Sequence, residues 1–160
     1  MAANATTTTT TRHAFAIDVT ATTQIDGPAQ AVWDVLADTE RYSEWNPFIT
    51  RFDGQLNAGQ RIAVQLQLPD RPVQRMQPTL QDVTPGASFS WLGHVGIAGI
   101  LDGRHHFEVL PTSDTTCTLV QSERLSGLLL PAFRAMLLDK TPKAFELMNE
   151  ALRARVEHAN

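Results

Sequence analysis

Thr141-Pro142-Lys143-Ala144-Phe145-Glu146-Leu147-Met148-Asn149-Glu150-Ala151-Leu152-Arg153-Ala154-Arg155-Val156-Glu157-His158 is the stretch on which the fold turns. Thr141 has the chemistry of an N-cap and Pro142 that of a first-turn residue, so a helix starts, restarts or bends at this point. Over 142–158 it would extend ~25 Å, about the width of a small domain. Phe145, Met148, Leu152 and Val156 fall on one stripe, and Ala144, Leu147 and Ala151 on a neighbouring one. A stripe that broad requires a large apolar surface to lie against. Upstream, Leu128-Leu129-Leu130 leads through Pro131 into a helical pattern with Phe133, Met136 and Leu137.

The surface for that helix is supplied by the middle of the chain. Phe15, Ile17, Val19, Thr23 and Ile25 alternate as in a first strand, and Gly27-Pro28 ends it. A helix over 28–38 and a short turn over 39–44 come next, with Asp38 or Thr39 as cap, and Trp45-Asn46-Pro47 forces extended backbone. From 48 to 124 the turn residues of a meander separate alternating segments at 61–68, 76–83, 88–93, 102–110 and 116–124. In 61–68, Ile62, Val64, Leu66 and Leu68 share one face. The order predicts an α+β domain whose long helix covers the concave face of a curved antiparallel sheet of six or seven strands, with two short helices after the first strand. An apolar ligand cavity is expected between sheet and helix.

The totals limit the alternatives. A chain of 160 residues with 42% apolar content suits one domain, expected over 14–160, burying ~68–70% of the surface its unfolded form exposes. Residues 1–13, with a threonine run from Thr6 to Thr11, read as a disordered tail. A net charge of −4 with scattered Lys and Arg argues against nucleic acid as a partner. The single cysteine, Cys117, excludes an internal disulfide, suits a cytoplasmic location and reads as strand packing. No apolar run reaches the ~20 residues of a membrane span, so no stable membrane insertion is expected. His105 and His106 point to opposite faces of a strand, and no metal or cofactor site is expected. The glycines of 93–99 lack a phosphate-loop pattern and read as a flexible connection that could cover a cavity mouth.

The candidate site lies on the last hairpin. If Phe107 and Val109 face inward, His105 does too, and Leu119 brings Cys117, Gln121, Glu123 and Leu125 with it. A connection over 111–115 pairs Leu110 with Thr116, which sets His105 opposite Gln121 and Glu123 on the diagonal, ~7–8 Å away between backbones. An imidazole, an amide and a carboxylate then share an apolar interior, either satisfying one another or serving acid–base work through His105 and Glu123. Phe89 and Trp91 supply an aromatic wall, and Phe133, Leu137, Phe145, Met148 and Leu152 the helical one, whereas Tyr42 and Trp45 close one end of the core.

Tyr42-Ser43-Glu44-Trp45-Asn46-Pro47-Phe48, Asp102-Gly103-Arg104-His105-His106-Phe107-Glu108, Gln121-Ser122-Glu123-Arg124-Leu125-Ser126-Gly127 and Phe145-Glu146-Leu147-Met148-Asn149 together resemble the polyketide cyclase/dehydrase-like branch of the START/Bet v 1 superfamily. The resemblance covers about residues 15 to 157 and implies the helix-grip fold. Three functions stay open: binding of a small hydrophobic or aromatic molecule, lipid-like or polyketide-like; cyclase or dehydrase chemistry; and an interaction module in which the sheet edge or the outer helix face mediates self-association or partner docking, an exposed apolar edge suiting a homodimer.

Overall fold

Alternation sets the first long strand, β2 (Ala16–Ile25), whose odd-numbered residues Ile17, Val19, Ala21, Thr23 and Ile25 are completely buried while the even ones reach the other face. The computed structural model describes residues 5–159, and among these it contains nine strands and three helices. β2 pairs with β9 (Cys117–Ser126), which continues through β8 (Asp102–Pro111), β7 (Ser88–His94) and β6 (Thr79–Thr84), all antiparallel. A smaller sheet holds β3 (Ile49–Asp53), β4 (Ala63–Leu66) and β5 (Gln74–Met76). The run expected as one strand over 61–68 is divided. Its start bonds to the rim of β6 through Ile62 N–H to Pro78 O at 2.9 Å, and its end belongs to β4. The segment over 76–83 is likewise split, because Pro78 has no N–H to give to a ladder.

The threonine run is a strand and not a disordered tail: β1 (Thr7–Arg12) pairs with β2 from Thr7 opposite Thr22 to Arg12 opposite Ile17. β-Branched residues favour extended backbone, and β2 would otherwise leave one edge unpaired. Thr6 then ties this edge to the C-terminal helix, its hydroxyl meeting Thr23 Oγ1 at 2.7 Å and donating to Glu150 Oε1 at 2.6 Å. The earliest part of the predicted tail, residues 1–4, lies outside the described residues. Phe15, expected in the first strand, is exposed at the turn between β1 and β2, where His13 N–H bonds Ala16 O. One edge of the large sheet is thus a row of threonines, and the other is β6.

Between β2 and β3 run α1 (Ala29–Ala37), a 3-10 turn (Thr39–Arg41) and α2 (Tyr42–Trp45). Pro28 precedes α1, and neither Asp38 nor Thr39 caps the next turn through its side chain. The Tyr42 hydroxyl donates to Leu36 O at 2.7 Å and so satisfies one of the carbonyls that a helix C-terminus leaves open.

The last helix, α3 (Leu130–Glu157), is continuous through Pro142. Phe145, Met148, Leu152 and Val156 are buried against the sheet as their spacing predicts, and so is Ala144. Leu147 is half-exposed, so the second stripe is narrower than expected; Asn149 is buried in its place and donates to Thr23 Oγ1 at 3.1 Å. The curved sheet grips this helix, with no helix among the described residues long and apolar enough to cross a membrane.

Candidate functional site

β8 and β9 carry the expected inward sets. His105, Phe107 and Val109 on one strand and Cys117, Leu119, Gln121 and Leu125 on the other are all buried. Their register differs from expectation by two residues: His105 lies directly opposite Glu123, and Phe107 opposite Gln121. Pro111 belongs to the strand and pairs with Cys117, so the five-residue connection is 112–116. Hydroxyls close that loop on itself, Thr112 Oγ1 meeting Thr116 Oγ1 at 2.7 Å and Ser113 Oγ meeting it at 2.8 Å. A shift of two preserves parity, which is why the faces were right although the partners were not.

The polar trio does assemble. His105 Nδ1 is 3.8 Å from Glu123 Oε2, and the Gln121 amide lies 3.1 Å from His105 Nε2 and 3.5 Å from Met148 Sδ. Gln121 Nε2 and His105 Nε2 face each other, and the ring's tautomer sets the donor and acceptor roles between them. Gln121 Oε1 is buried without a partner.

Aromatic rings fill the space around His105. Its ring stacks on Trp91 with centroids 4.9 Å apart and meets the edge of Phe145 at 5.1 Å, while Phe107 and Phe48 lie within 4.6 and 6.0 Å. Phe89 continues the cluster to Phe107 at 4.9 Å. The expected lining residues Phe89, Trp91, His105, Phe107, Leu119 and Gln121, together with Phe145, Met148 and Leu152 on the helix, are therefore packed core, not cavity wall. Large side chains from the sheet and from α3 meet there ring against ring, Phe145 against both His105 and Phe48.

The open space is displaced toward the first half of α3. A pocket of about 430 Å³ lies between Leu129 just before α3, Phe133, Met136, Leu137 and Thr141 of that half, the ends of β8 and β9, and the segment around 66–76. Of the residues predicted to contact a ligand, Glu123, Phe133 and Leu137 border it. Leu66, Leu68, Val73 and Met76 were missed as lining, although Leu66 and Leu68 stood in a visible period-two pattern; Val73, in a turn-rich segment, carried no such signal. Beneath the pocket is a second apolar cluster of Ile17, Leu125, Leu130 and Leu137.

The glycine-rich connection between β7 and β8 contributes Val95 and Leu101 to the wall. Asp102 holds it, both carboxylate oxygens accepting from Gly99 N–H at 2.9 Å and one meeting His94 Nδ1 at 2.7 Å. Backbone bonds from Leu128 N–H to Gly99 O and Leu129 N–H to Ile100 O join the connection to the start of α3. Gly127 permits this approach, since a Cβ there would lie 2.5 Å from Ile100 O.

Cys117 is buried beneath the sheet, and burial pushes its thiol up to about 11. Among the described residues no group of three or more His, Cys, Asp or Glu is arranged to hold a metal ion.

The family model described as "Polyketide cyclase / dehydrase and lipid transport" matches residues 16–157. The Zhui aromatase/cyclase from Streptomyces sp. R1128 is 16% identical, superposes with a TM-score of 0.74, and is matched over 89% of this chain and 94% of its own. A START superfamily protein from Mycobacterium smegmatis is also 16% identical, with a TM-score of 0.70 and coverage of 89% and 99%. Norcoclaurine synthase from Thalictrum flavum, as a point mutant in complex with a transition-state analogue, gives 14%, 0.67, 96% and 99%. At these identities the likeness is one of fold. No curated protein matches the sequence.

Proposed function

Since the chain belongs to the polyketide cyclase/dehydrase and lipid transport family, we propose that it binds a small hydrophobic or aromatic molecule, lipid-like or polyketide-like, in the pocket beside the first half of α3. The observation that carries this reading is a space of about 430 Å³ walled mainly by Leu, Met, Val and Phe side chains, within the ~300–1,000 Å³ usual for small-molecule sites. Apolar walls reward a ligand by the area they remove from water, and a few polar groups fix its orientation.

Fluorescence titration with a naphthalene-based, environment-sensitive dye tests it. The wild-type chain is expected to bind the dye saturably, and Met136→Trp, which fills the pocket from the helix side, to weaken binding by about tenfold or more without lowering the melting temperature appreciably. Absence of uptake by the wild type, or unchanged affinity in the variant, rejects the reading.

The meeting of His105 with Glu123 favours a second reading, acid–base chemistry of the cyclase or dehydrase kind. Only Glu123 borders the pocket, so it would be the group meeting a substrate proton, and His105, 1% exposed behind it, would act as a positioning residue. Turnover of a poly-carbonyl substrate that survives Glu123→Gln undiminished rejects this assignment.

A further inference from the structure

Glu123 brings a carboxylate to an apolar pocket and has almost nothing there to accept from. Its side chain is 12% exposed, and the contact to His105 Nδ1, at 3.8 Å, is longer than a hydrogen bond. Among the described residues no hydrogen-bond donor reaches either of its oxygens. Asp102, the other acid in the wall, is saturated by Gly99 N–H and His94. Arg71, the cationic residue of the wall, is exposed at the outer side.

The carboxylate also has a seat made for it. Gly103, opposite Leu125 on the neighbouring strand, leaves free the space over which Glu123 lies; a methyl there would stand 2.7 Å from Glu123 Oε1. Gly103 has an ordinary strand backbone, so it is the close approach, not its conformation, that a side chain would disturb.

A largely desolvated carboxylate accepts hydrogen bonds and repels other anions, and leaving it unpaired is costly. From this we infer that the pocket selects apolar molecules presenting a hydrogen-bond donor, a hydroxyl or an ammonium group, to Glu123, and discriminates against carboxylates and against isosteres whose donor is capped. The inference rests on the ligand-binding reading and specifies the ligand's inner end. A molecule carrying an acid would have to turn that group outward, toward Arg71.

Four probes of one aromatic body test it on the full chain: 2-naphthol, 2-naphthylmethylamine, 2-methoxynaphthalene and 2-naphthoate, each titrated calorimetrically at neutral pH. For the wild type, naphthol and the amine are expected to bind about tenfold tighter than the methoxy compound, since charge-assisted hydrogen bonds exceed neutral ones, with naphthoate weakest. Glu123→Gln, which keeps an acceptor and removes the charge, should abolish the preference for the amine and retain part of that for naphthol. Glu123→Leu should abolish both. Equal affinities for all four probes in the wild type, or preferences unchanged in Glu123→Leu, overturn the inference and leave the pocket reading standing. Binding of none of the four overturns the pocket reading, and the inference with it.

Discussion

Replacing Tyr42 with Phe isolates one hydroxyl whose work can be traced through the fold. Tyr42 is completely buried, edge-on to Trp45 at 5.4 Å and to Phe52 at 5.7 Å, and its hydroxyl donates to Leu36 O at 2.7 Å. Phe preserves the ring contacts and removes the donor, leaving a carbonyl at the end of α1 without this partner. Loss of the bond and the orphaned acceptor together cost about 1–3 kcal/mol. For a chain of this length, each kcal/mol lowers the melting temperature by roughly 2–4 °C, so Tyr42→Phe should melt ~2–12 °C below the wild type. Calorimetry or thermal circular dichroism reads this directly. A variant that melts with the wild type would show that water or a backbone N–H replaces the phenol, and the capping role would fall.

The same residue sets an alkaline limit. Burial first, and the nearby Asp38 charge second, push the phenol far above its ordinary value. The folded chain thus retains a proton that the unfolded chain releases near pH ~10. The contribution is whole below that pH and is lost progressively above it. As Tyr42 is the only tyrosine, absorbance at 295 nm should show phenolate only as the fold is lost. Phenolate formation with native circular dichroism intact would contradict the geometry.

Three further perturbations probe other parts of the molecule. Gly103→Ala should leave the melting temperature unchanged or slightly raised, because a strand alanine restricts the unfolded chain, while its methyl displaces the Glu123 carboxylate; titration with 2-naphthol should then show weakened binding, and unchanged affinity would refute the seat. Phe145→Ala removes a fully buried ring that contacts both His105 and Phe48, and urea unfolding should register a loss of about 3–5 kcal/mol; a loss under about 1 kcal/mol, the size of a minor core change, would mean that the helix does not grip the sheet at this point. Cys117, its thiol raised to about 11 by burial, should resist Ellman's reagent at pH 8 in the native state and react once in guanidinium, whereas rapid native reaction would contradict its placement.

What could be read from the residues, and what could not, divides along a physical line. Periodicity reports which way a side chain points, so the stripe of Phe145, Met148, Leu152 and Val156 and the shared parity of His105, Phe107 and Glu123 were legible. Register depends on where a loop begins, and the choice of residue 111 or 112 moved His105 from opposite Gln121 to opposite Glu123. β1 was invisible because a run of threonines has no apolar face to alternate; it becomes a strand only through the edge that β2 offers. The cavity's position was hidden for another reason. That Trp91, His105 and Phe145 face inward is a local property, but that their rings fill the space between them while a pocket opens beside Met136 and Leu137 is a property of summed volumes.

Pro142 sits where α3 passes from the pocket to the packed core. Having no N–H, it leaves the carbonyl of Leu138 without its helical bond, so the ladder is interrupted between the turns that carry Phe133 and Leu137 and those that carry Phe145 and Leu152. The rod is thus expected to behave as two unequal lengths. The far length, clamped by buried rings, is expected to take up deuterium at its amides last, and the near length, which borders the pocket, to exchange sooner; uniform exchange along the helix would contradict the division.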